Sequence, residues 1–298
     1  AATTGVNETN ARKTGLDVDT VILSPMSHAG YYPGGKVMTM KVVFEKATYR
    51  LLGALSVGYE GVDKRIDVLS TAIRAGMKAT ELKDLDLAYA PPYSSAKDPV
   101  NMAGFMVENI ANGVLKQWHL EDADRLPRDG SVTLLDNRTV EEFAHGHIDG
   151  FFNIPVDELR ERLGELDKRK PVYVICQSGL RSYIACRILA GNGFDCYNFS
   201  GGFRFYDAAI NDRCLIESAT ACGMDRAQNQ DICLQLIASR CPFCLIILQL
   251  FQSDFVCNLH CSTSQFDHTL VLEIAKHSGN YLTGGTHVAR NGFMGNLE

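Results

Sequence analysis

Cysteine is absent from the first 175 residues, and all ten cysteines of the 298-residue chain lie at or after Cys176. A secreted disulfide scaffold is short and spreads its cysteines through the fold, so this distribution excludes that class of protein. We therefore expect reduced thiols, a cytoplasmic location and a small number of reactive cysteines in the second half of the chain.

Long apolar runs and surplus positive charge are also missing. The longest apolar candidate, residues 241–251, falls short of the roughly 18 residues that a membrane helix needs. Lys and Arg number 29 against 35 Asp and Glu, which gives a net charge of −6. Because neutralising nucleic-acid phosphates needs an excess of Lys and Arg, we expect neither a nucleic acid nor a membrane as a partner.

The composition nevertheless suits a folded protein, because 46% of the residues are hydrophobic and can fill a core. The chain starts with Ala-Ala-Thr-Thr rather than Met, and no basic stretch followed by an apolar one opens it. We therefore expect a piece of a larger protein without a secretory signal.

Sequence patterns divide the chain into four stretches, which are residues 1–112, 113–130, 131–212 and 213–298. The first stretch has a ragged polar start and then combines strand-like and helix-like apolar periodicities, which predicts an α+β domain. Its predicted elements are strands at 37–45 and 50–58 and helices at 62–75 and 100–112.

The polar stretch 113–130 is the predicted linker. In 131–212, short apolar runs alternate with helical patterns, which is typical of a small parallel α/β sheet. The predicted helices of this second domain lie at 140–144, 157–166 and 182–190. The last stretch, 213–298, shows no orderly pattern, and we assign no element to it.

The strongest chemical signal follows a predicted buried strand at 171–175. Cys176 ends this strand, a short loop follows, and a helix is predicted to start near Ser182. Loop amides and the positive end of the helix dipole stabilise an anionic sulfur, whether thiolate or persulfide. Gly179 lets the backbone curl, and Arg181 adds a permanent charge. The predicted site has Cys176 and Arg181 as its catalytic residues and a loop of Gln177, Ser178, Gly179, Leu180 and Ser182.

The spacing within this loop favours sulfur over phosphate chemistry. Four residues separate Cys176 from Arg181, one fewer than in a Cys-x5-Arg phosphate-handling loop. The tighter cradle suits one transferable sulfur atom. A buried structural Cys at a strand end is the plainer alternative, and the combination of strand, loop, Gly, Arg and helix argues against it.

Residues 131–210 resemble a rhodanese domain. The matching segments are Leu134–Phe143 (similar to LLDVRxxxEF, with Asn137 replacing the usual Val), Gly146–Phe151 (GHIxGA, with Phe151 in place of Ala), Asn153–Pro155 (NIP), the active loop Cys176–Arg181 and Gly201–Phe203 (GG). The resemblance implies a parallel α/β fold and sulfurtransferase activity with Cys176 as the persulfide carrier. It also implies two partners, a sulfane sulfur donor and a thiol acceptor.

Neighbouring residues of the rhodanese-like region have less specific interpretations. The resemblance places Asp136 and Arg138 near the loop as supports, and a surface salt bridge is the alternative for that pair. We interpret His147 as a brace of its turn rather than a general base. Cys186 and Cys196 fall in helix and strand patterns and are predicted to be core thiols.

Residues 18–112 resemble the interface domain, or dimerisation domain, of pyridine nucleotide-disulfide oxidoreductases, most closely the coenzyme A-disulfide reductase and NADH oxidase group. The matching segments are Ser27–Gly34, Gly58–Asp67 and Tyr89–Asn101. The resemblance implies a homodimer through 18–112, in which tyrosines approach coenzyme A at the partner's flavin site. Tyr93 is the best match and Tyr31 or Tyr32 the next, with aromatic packing at the interface as the alternative. An interface domain followed by a rhodanese module resembles the fused coenzyme A-disulfide or persulfide reductases.

The sequence departs from that family in two respects. It has no strand–GxGxxG–helix fingerprint and no redox cysteine ahead of residue 176. We therefore expect this chain alone to bind no FAD or NAD and to reduce no disulfide, although FAD, NAD(P)H and coenzyme A belong to the full-length family architecture.

The last stretch, 213–298, leaves several alternatives open. Cys241-Pro242 is similar to the start of a TusA-type sulfur carrier, which would make Cys241 a sulfur relay, and Cys-Pro-Phe-Cys is similar to a glutaredoxin dithiol. An aberrant tail is the plainer alternative. The spacings disfavour a zinc site built from Cys241, Cys244, Cys257, His260 and Cys261, so no metal is predicted.

The leading hypothesis is a rhodanese-type sulfurtransferase joined to a flavoprotein interface domain. The alternative is a non-catalytic dimerisation and docking module whose rhodanese fold only binds partners. Phosphatase action is disfavoured by the short loop.

Overall fold

An antiparallel sheet flanked by helices forms the first part of the computed structural model, which describes residues 1–221. Its strands are β1 (Ala2–Gly5), β2 (Val18–Leu23), β3 (Thr39–Glu45) and β4 (Leu51–Val57), and its helices are α1 (Glu8–Lys13), α2 (Val62–Arg74) and α3 (Pro99–Ala111). The strand order is β1-β4-β3-β2, so β1 and β2 are the edge strands. A 3-10 helix, Ala79–Asp84, lies between α2 and α3.

The apolar periodicity of the sequence explains this domain. Val42 and Phe44 of β3 pack with Leu69 of α2 and Val107 of α3 in one buried cluster. The α2 helix ends just before Gly76, whose φ of +72° suits a residue without a Cβ. The two predicted strands and two predicted helices of this stretch are confirmed.

A second sheet is entirely parallel. Its strands are β5 (Gln117–Trp118), β6 (Thr133–Asp136), β7 (Phe152–Asn153), β8 (Val172–Ile175) and β9 (Cys196–Phe199), and its helices are α4 (Leu120–Ala123), α5 (Val140–Ala144), α6 (Leu180–Gly191) and α7 (Gly202–Ala221). The strand order is β5-β9-β8-β6-β7. The predicted parallel α/β sheet is thus confirmed, with α6 beginning two residues before the predicted Ser182.

The register of this sheet positions the candidate site. Asp136 at the end of β6 pairs with Ile175 at the end of β8. Because carboxyl ends of parallel strands meet at one edge of a sheet, Asp136, Arg138 and Cys176 come to the same edge. The central strand β8 is almost entirely buried, which agrees with its continuous apolar sequence.

Three sequence-based expectations were wrong. The ragged start contains β1 and α1, with Ala11 and Val18 buried. The expected linker 113–130 contains β5 and α4, and Trp118 is buried in the second domain. The segment 157–166 forms turns and a 3-10 helix, Leu163–Glu165, instead of an α-helix. Its charge pairs, Arg162 with Glu158 and with Glu165, have helix-type spacing and made a helix the expectation, whereas Gly164 disfavours one.

Candidate functional site

Cys176 lies directly after β8 and is the first residue of the Cys176 loop, which we define as residues 176–181. Its exposed fraction is 0%. The sulfur is nevertheless in a polar environment, because the Gly179 amide donates to Sγ at 3.2 Å and the Ser182 hydroxyl lies 3.2 Å from Sγ. The Ser182 hydroxyl also lies 3.2 Å from the Gly179 carbonyl, so its single proton has two possible acceptors.

The backbone conformation of Gly179 allows its amide to approach Sγ. Its φ of +96° lies in the left-handed region that residues with a Cβ rarely adopt. Gly179 is also the N-cap of α6, so the first turn of that helix starts at the loop. The helix places its unpaired amides and the positive end of its dipole beside the sulfur. This geometry stabilises negative charge on Sγ.

The start of α7 supports the other side of the loop. The Phe203 amide donates to the Cys176 carbonyl at 2.7 Å, and the Arg204 amide donates to the Gln177 carbonyl at 3.2 Å. These bonds hold both carbonyls against the first turn of α7. Gly202 lies against the backbone of Ser178, so closely that a Cβ at Gly202 would stand 2.6 Å from the Ser178 nitrogen.

Arg181 braces the loop through a bidentate ion pair. Its two terminal nitrogens donate to the two carboxylate oxygens of Glu142 at 2.7 and 2.8 Å. This hydrogen-bonded pair lowers the pKa of Glu142. Glu142 also accepts from the Thr139 amide at the start of α5. Arg181 thus ties α6 to α5 at the rim of the site.

Asp136 and Arg138 form a buried ion pair, with side chains 0% and 2% exposed. Arg138 donates from Nε and Nη2 to Asp136 Oδ2 at 3.0 and 2.8 Å. It also donates to the carbonyls of Glu142 and Gly146. The guanidinium stacks 3.7 Å from the ring centroid of Phe203, the residue whose amide binds the Cys176 carbonyl. The pair is therefore not a surface salt bridge but links β6, α5 and α7.

The remaining predictions for the second domain can be placed in the structure. His147 stacks on Phe143 at 3.9 Å and lies 3.1 Å from the Phe143 carbonyl, which agrees with a bracing role. Cys186 and Cys196 are buried core thiols, as expected. Leu180 is 59% exposed, whereas Ser182 is fully buried beneath the loop.

The predicted tyrosines lie on the surface of the first domain. Tyr31 and Tyr93 are 76% and 69% exposed, and Tyr32 is exposed as well. The Tyr31 hydroxyl lies 2.9 Å from that of Tyr89, a residue that sequence analysis did not single out. This hydrogen bond raises the pKa of Tyr89. The structure therefore pairs Tyr31 with Tyr89 rather than with Tyr93.

A buried ion pair lies beneath this aromatic surface. Arg65 donates to Asp98 Oδ2 at 2.9 Å, with side chains 1% and 3% exposed. Arg65 also donates to the carbonyl of Tyr93 at 3.2 Å, and Asp98 accepts from the Ser94 hydroxyl at 2.7 Å. The tyrosine-bearing loop 89–98 is therefore anchored to α2.

Sequence reasoning missed two residues that shape the Cys176 site. Glu142 was noted only as part of a motif, although the spacing Thr139-x-x-Glu142 predicts a helix-capping box, which the structure contains. Gly202 was noted only in the closing GG element, and no local signal shows that it contacts Ser178. The predicted relay residue Cys241 and the other tail predictions lie outside the described residues. Across residues 1–221, no helix is both long and apolar enough to cross a membrane.

Comparison with known proteins identifies both domains. The family model of the pyridine nucleotide-disulphide oxidoreductase dimerisation domain matches residues 1–99, and that of the rhodanese-like domain matches residues 119–209. The chain thus carries a dimerisation domain of that oxidoreductase family followed by a rhodanese-like domain.

Two solved structures cover both domains. The reduced CoADR-RHD protein of Bacillus anthracis is 43% identical with a TM-score of 0.67, covering 68% of this chain and 36% of that one. The NAD-dependent persulfide reductase of A. fulgidus is 42% identical with a TM-score of 0.62, covering 69% of this chain and 37% of that one.

Among curated proteins, the coenzyme A disulfide reductase of Staphylococcus haemolyticus is 45% identical over 97 residues, which is 33% of this chain and 22% of the relative. The Staphylococcus epidermidis reductase is 43% identical over 93 residues, 31% of this chain and 21% of the relative. The chain spans about a fifth of the length of these relatives.

Proposed function

We propose that this chain transfers sulfane sulfur through a persulfide on Cys176, within the architecture of a coenzyme A-disulfide or persulfide reductase. The observation that carries the proposal is the Gly179 amide that donates to Sγ at the N-terminus of α6, with the Ser182 hydroxyl at hydrogen-bond distance from the same sulfur. Hydrogen bonds to an ionised acceptor are about twice as strong as neutral ones, so this arrangement favours an anionic sulfur.

The reaction consists of two displacements at sulfur. The Cys176 thiolate attacks the terminal sulfur of a sulfane donor, a Cys176–sulfur bond forms, and the bond between that sulfur and the donor breaks with both electrons leaving on the donor. An acceptor thiolate then attacks the outer sulfur of the Cys176 persulfide. The acceptor leaves as a persulfide, and Cys176 is restored as a thiolate.

The surrounding residues serve this reaction by fixing the loop. Arg181 is held by Glu142 and contributes positive charge at the rim, while the first turn of α6 contributes its unpaired amides. The buried pair of Asp136 and Arg138 supports the loop through Phe203. The small size of this cradle suits one sulfur atom rather than a phosphate group.

The test is the mass of the intact chain after exposure to thiosulfate and, separately, to polysulfide. We expect the parent chain to gain the mass of one sulfur atom, which a thiol acceptor then removes. Cys176→Ser should gain none, because its hydroxyl is a poor nucleophile toward sulfur. Cys196→Ser is the matched control, since it replaces a buried thiol outside the loop and should retain the gain.

The outcomes separate the two functional hypotheses. A Cys176→Ser chain that keeps full sulfur transfer refutes the role of this residue. A parent chain that takes up no sulfur from either donor, and whose Cys176 alkylates no faster than an exposed peptide cysteine, supports the non-catalytic docking module instead.

The wider architecture is part of the same proposal. FAD, NAD(P)H and coenzyme A would act through parts of the full-length protein that correspond to regions of the relatives outside the aligned third. The protein would act as a homodimer through residues 18–112, which sedimentation velocity of the chain tests directly. The cytoplasmic location expected from the sequence belongs to the same proposal.

We further assign the aromatic surface of the first domain to the coenzyme A side of this architecture. The hydroxyls of Tyr31 and Tyr89 form one hydrogen-bonded unit that can donate to a thiolate or supply a proton. Tyr32 and Tyr93 flank this unit on the loops that carry it. The Tyr31–Tyr89 pair is a better candidate than Tyr93 alone, because it offers two adjacent hydroxyl groups instead of one.

A further inference from the structure

The edge strand of the dimerisation domain lies against the second domain. An edge strand carries unpaired amides and carbonyls that need partners. Here the Ile22 amide of β2 donates to the Ser200 hydroxyl at 3.1 Å in a buried bond, and the Gln117 side chain donates to the Thr20 carbonyl at 2.8 Å. Side chains of the second domain thus satisfy groups along the β2 edge.

Packing and charge reinforce this contact. Ile22 is only 5% exposed and belongs to the apolar cluster that contains Trp118, Phe199 and Ile175 of the second domain. Asp19, three residues earlier on β2, accepts from His119 at 2.9 Å. A residue of the first domain therefore completes the core of the second.

Ser200 stands between this junction and the Cys176 loop. It is 2% exposed, its amide donates to the Trp118 carbonyl at 3.0 Å, and it immediately precedes Gly201 and Gly202. Gly202 contacts the backbone of Ser178. The path from Ile22 to the loop therefore consists of one hydrogen bond, two residues of backbone and one close backbone contact.

From these contacts we infer that Ser200, held by the Ile22 amide, is a positioning residue through which the dimerisation domain sets the geometry of the Cys176 loop. The inference rests on the proposed sulfur transfer, and it extends that function by making the first domain part of the site's support. Ser200 does not touch the sulfur. It fixes the segment 200–204, whose amides hold the Cys176 and Gln177 carbonyls and thereby aim the Gly179 amide at Sγ.

The experiment uses the full 298-residue chain and measures the alkylation rate of Cys176 by iodoacetamide as a function of pH, with the Cys176 peptide identified by mass spectrometry. A change in access alters the plateau rate, whereas a change in anion stabilisation moves the midpoint of the pH profile. The midpoint is therefore the decisive quantity. Trp118, the single tryptophan of the chain, reports the state of the junction by its fluorescence.

Ser200→Ala removes the acceptor of the Ile22 amide. We expect the midpoint of its alkylation profile to lie above that of the parent, because the displaced loop no longer aims the Gly179 amide at Sγ. Ser200→Thr keeps the hydroxyl and should return the midpoint toward that of the parent. Ser27→Ala is the matched control, because Ser27 is also a buried serine that accepts an amide at 3.1 Å, from Lys36, but lies away from the junction.

The inference is overturned if Ser200→Ala keeps the parental midpoint, or if Ser27→Ala shifts the midpoint equally. Should Ser200→Ala fail to fold, Ser200→Cys carries the test, because a thiol of similar size is only a weak acceptor for the Ile22 amide, and an unchanged midpoint there overturns the inference as well. Alkylation needs no sulfur transfer. A shifted midpoint without uptake of sulfur therefore contradicts the proposed function alone, and uptake with an unshifted midpoint contradicts the positioning role alone.

Discussion

Replacing Gly202 by Ala should displace the Cys176 loop. Gly202 has a φ of +74°, and a Cβ built on it would stand 2.6 Å from both the nitrogen and the Cα of Ser178. Both contacts are with backbone atoms, so no flexible side chain can move aside. Either the loop or the start of α7 must shift, and the hydrogen bond from Phe203 to the Cys176 carbonyl connects the two.

Two other glycines allow the destabilisation of Gly202→Ala to be separated into backbone strain and steric conflict. Gly193 has a φ of +82° but no atom within 4 Å of the position that a methyl group would take, and Gly191 has neither a positive φ nor a close neighbour. A left-handed backbone costs an L-residue about 1–2 kcal/mol. Reduced freedom of the unfolded chain returns about 0.4–1 kcal/mol. Gly193→Ala should therefore lose about 1 kcal/mol, and Gly191→Ala should be neutral or slightly stabilising.

Gly202→Ala carries the same strain and an added steric conflict. Overpacking costs about 1–3 kcal/mol, so the total loss in the free energy of unfolding should be about 2–4 kcal/mol. Urea denaturation measures the stability of the three variants, and sulfur uptake from thiosulfate measures their activity. We expect Gly202→Ala to lose most sulfur uptake under conditions where it remains folded, while the other two keep the parental rate. Equal stability of Gly202→Ala and Gly193→Ala, with uptake intact, would refute the reasoning.

Two titrations test other parts of the structure. Arg181 lowers the pKa of Glu142 below its ordinary value of 4.5, so the stabilisation from this pair is present above that value and disappears as the pH falls through the lower, folded-state pKa. Glu142→Gln should cost less than about 1 kcal/mol at pH 7, because both side chains are about one-third exposed, and that difference from the parent should vanish in acid; a difference independent of pH would contradict the assignment. Tyr31→Phe should lower the pKa of Tyr89 toward its ordinary value of 10.0, since the hydrogen bond that raises it is removed. Difference absorbance titration against the parent measures this shift, and an unchanged profile would show that the two hydroxyls are not paired in solution.

Local sequence predicted the secondary structure around Cys176 well. The apolar run at 171–175, the glycine at 179 and the helical pattern that follows are consecutive, so strand, loop and helix could be predicted without tertiary information. The same holds for the strands and helices between residues 37 and 112. These elements depend on periodicity and on turn residues, which a single sequence displays directly.

Contacts between distant residues could not be predicted in this way. Arg181 meets Glu142 across 39 positions, and Ile22 meets Ser200 across 178. The polar residues between 121 and 130 made 113–130 resemble a linker, whereas the buried Trp118 joins that segment to the second core. Tertiary packing decides these cases, and one buried side chain outweighs several solvated charges.

The buried pair of Asp136 and Arg138 holds the elements around the Cys176 loop in place. A buried ion pair contributes little net stability, because the loss of hydration offsets much of the attraction, but removing one partner leaves a buried charge unpaired. This pair therefore holds one arrangement of its neighbours. Arg138 contacts the carbonyls of Glu142 and Gly146 and the ring of Phe203, so α5 and α7 cannot move independently around it. Helix α5 holds Arg181 through Glu142, and α7 holds the Cys176 carbonyl, so the buried pair supports both ends of the loop. The dimerisation domain contacts this arrangement through Ser200, which lies just before α7.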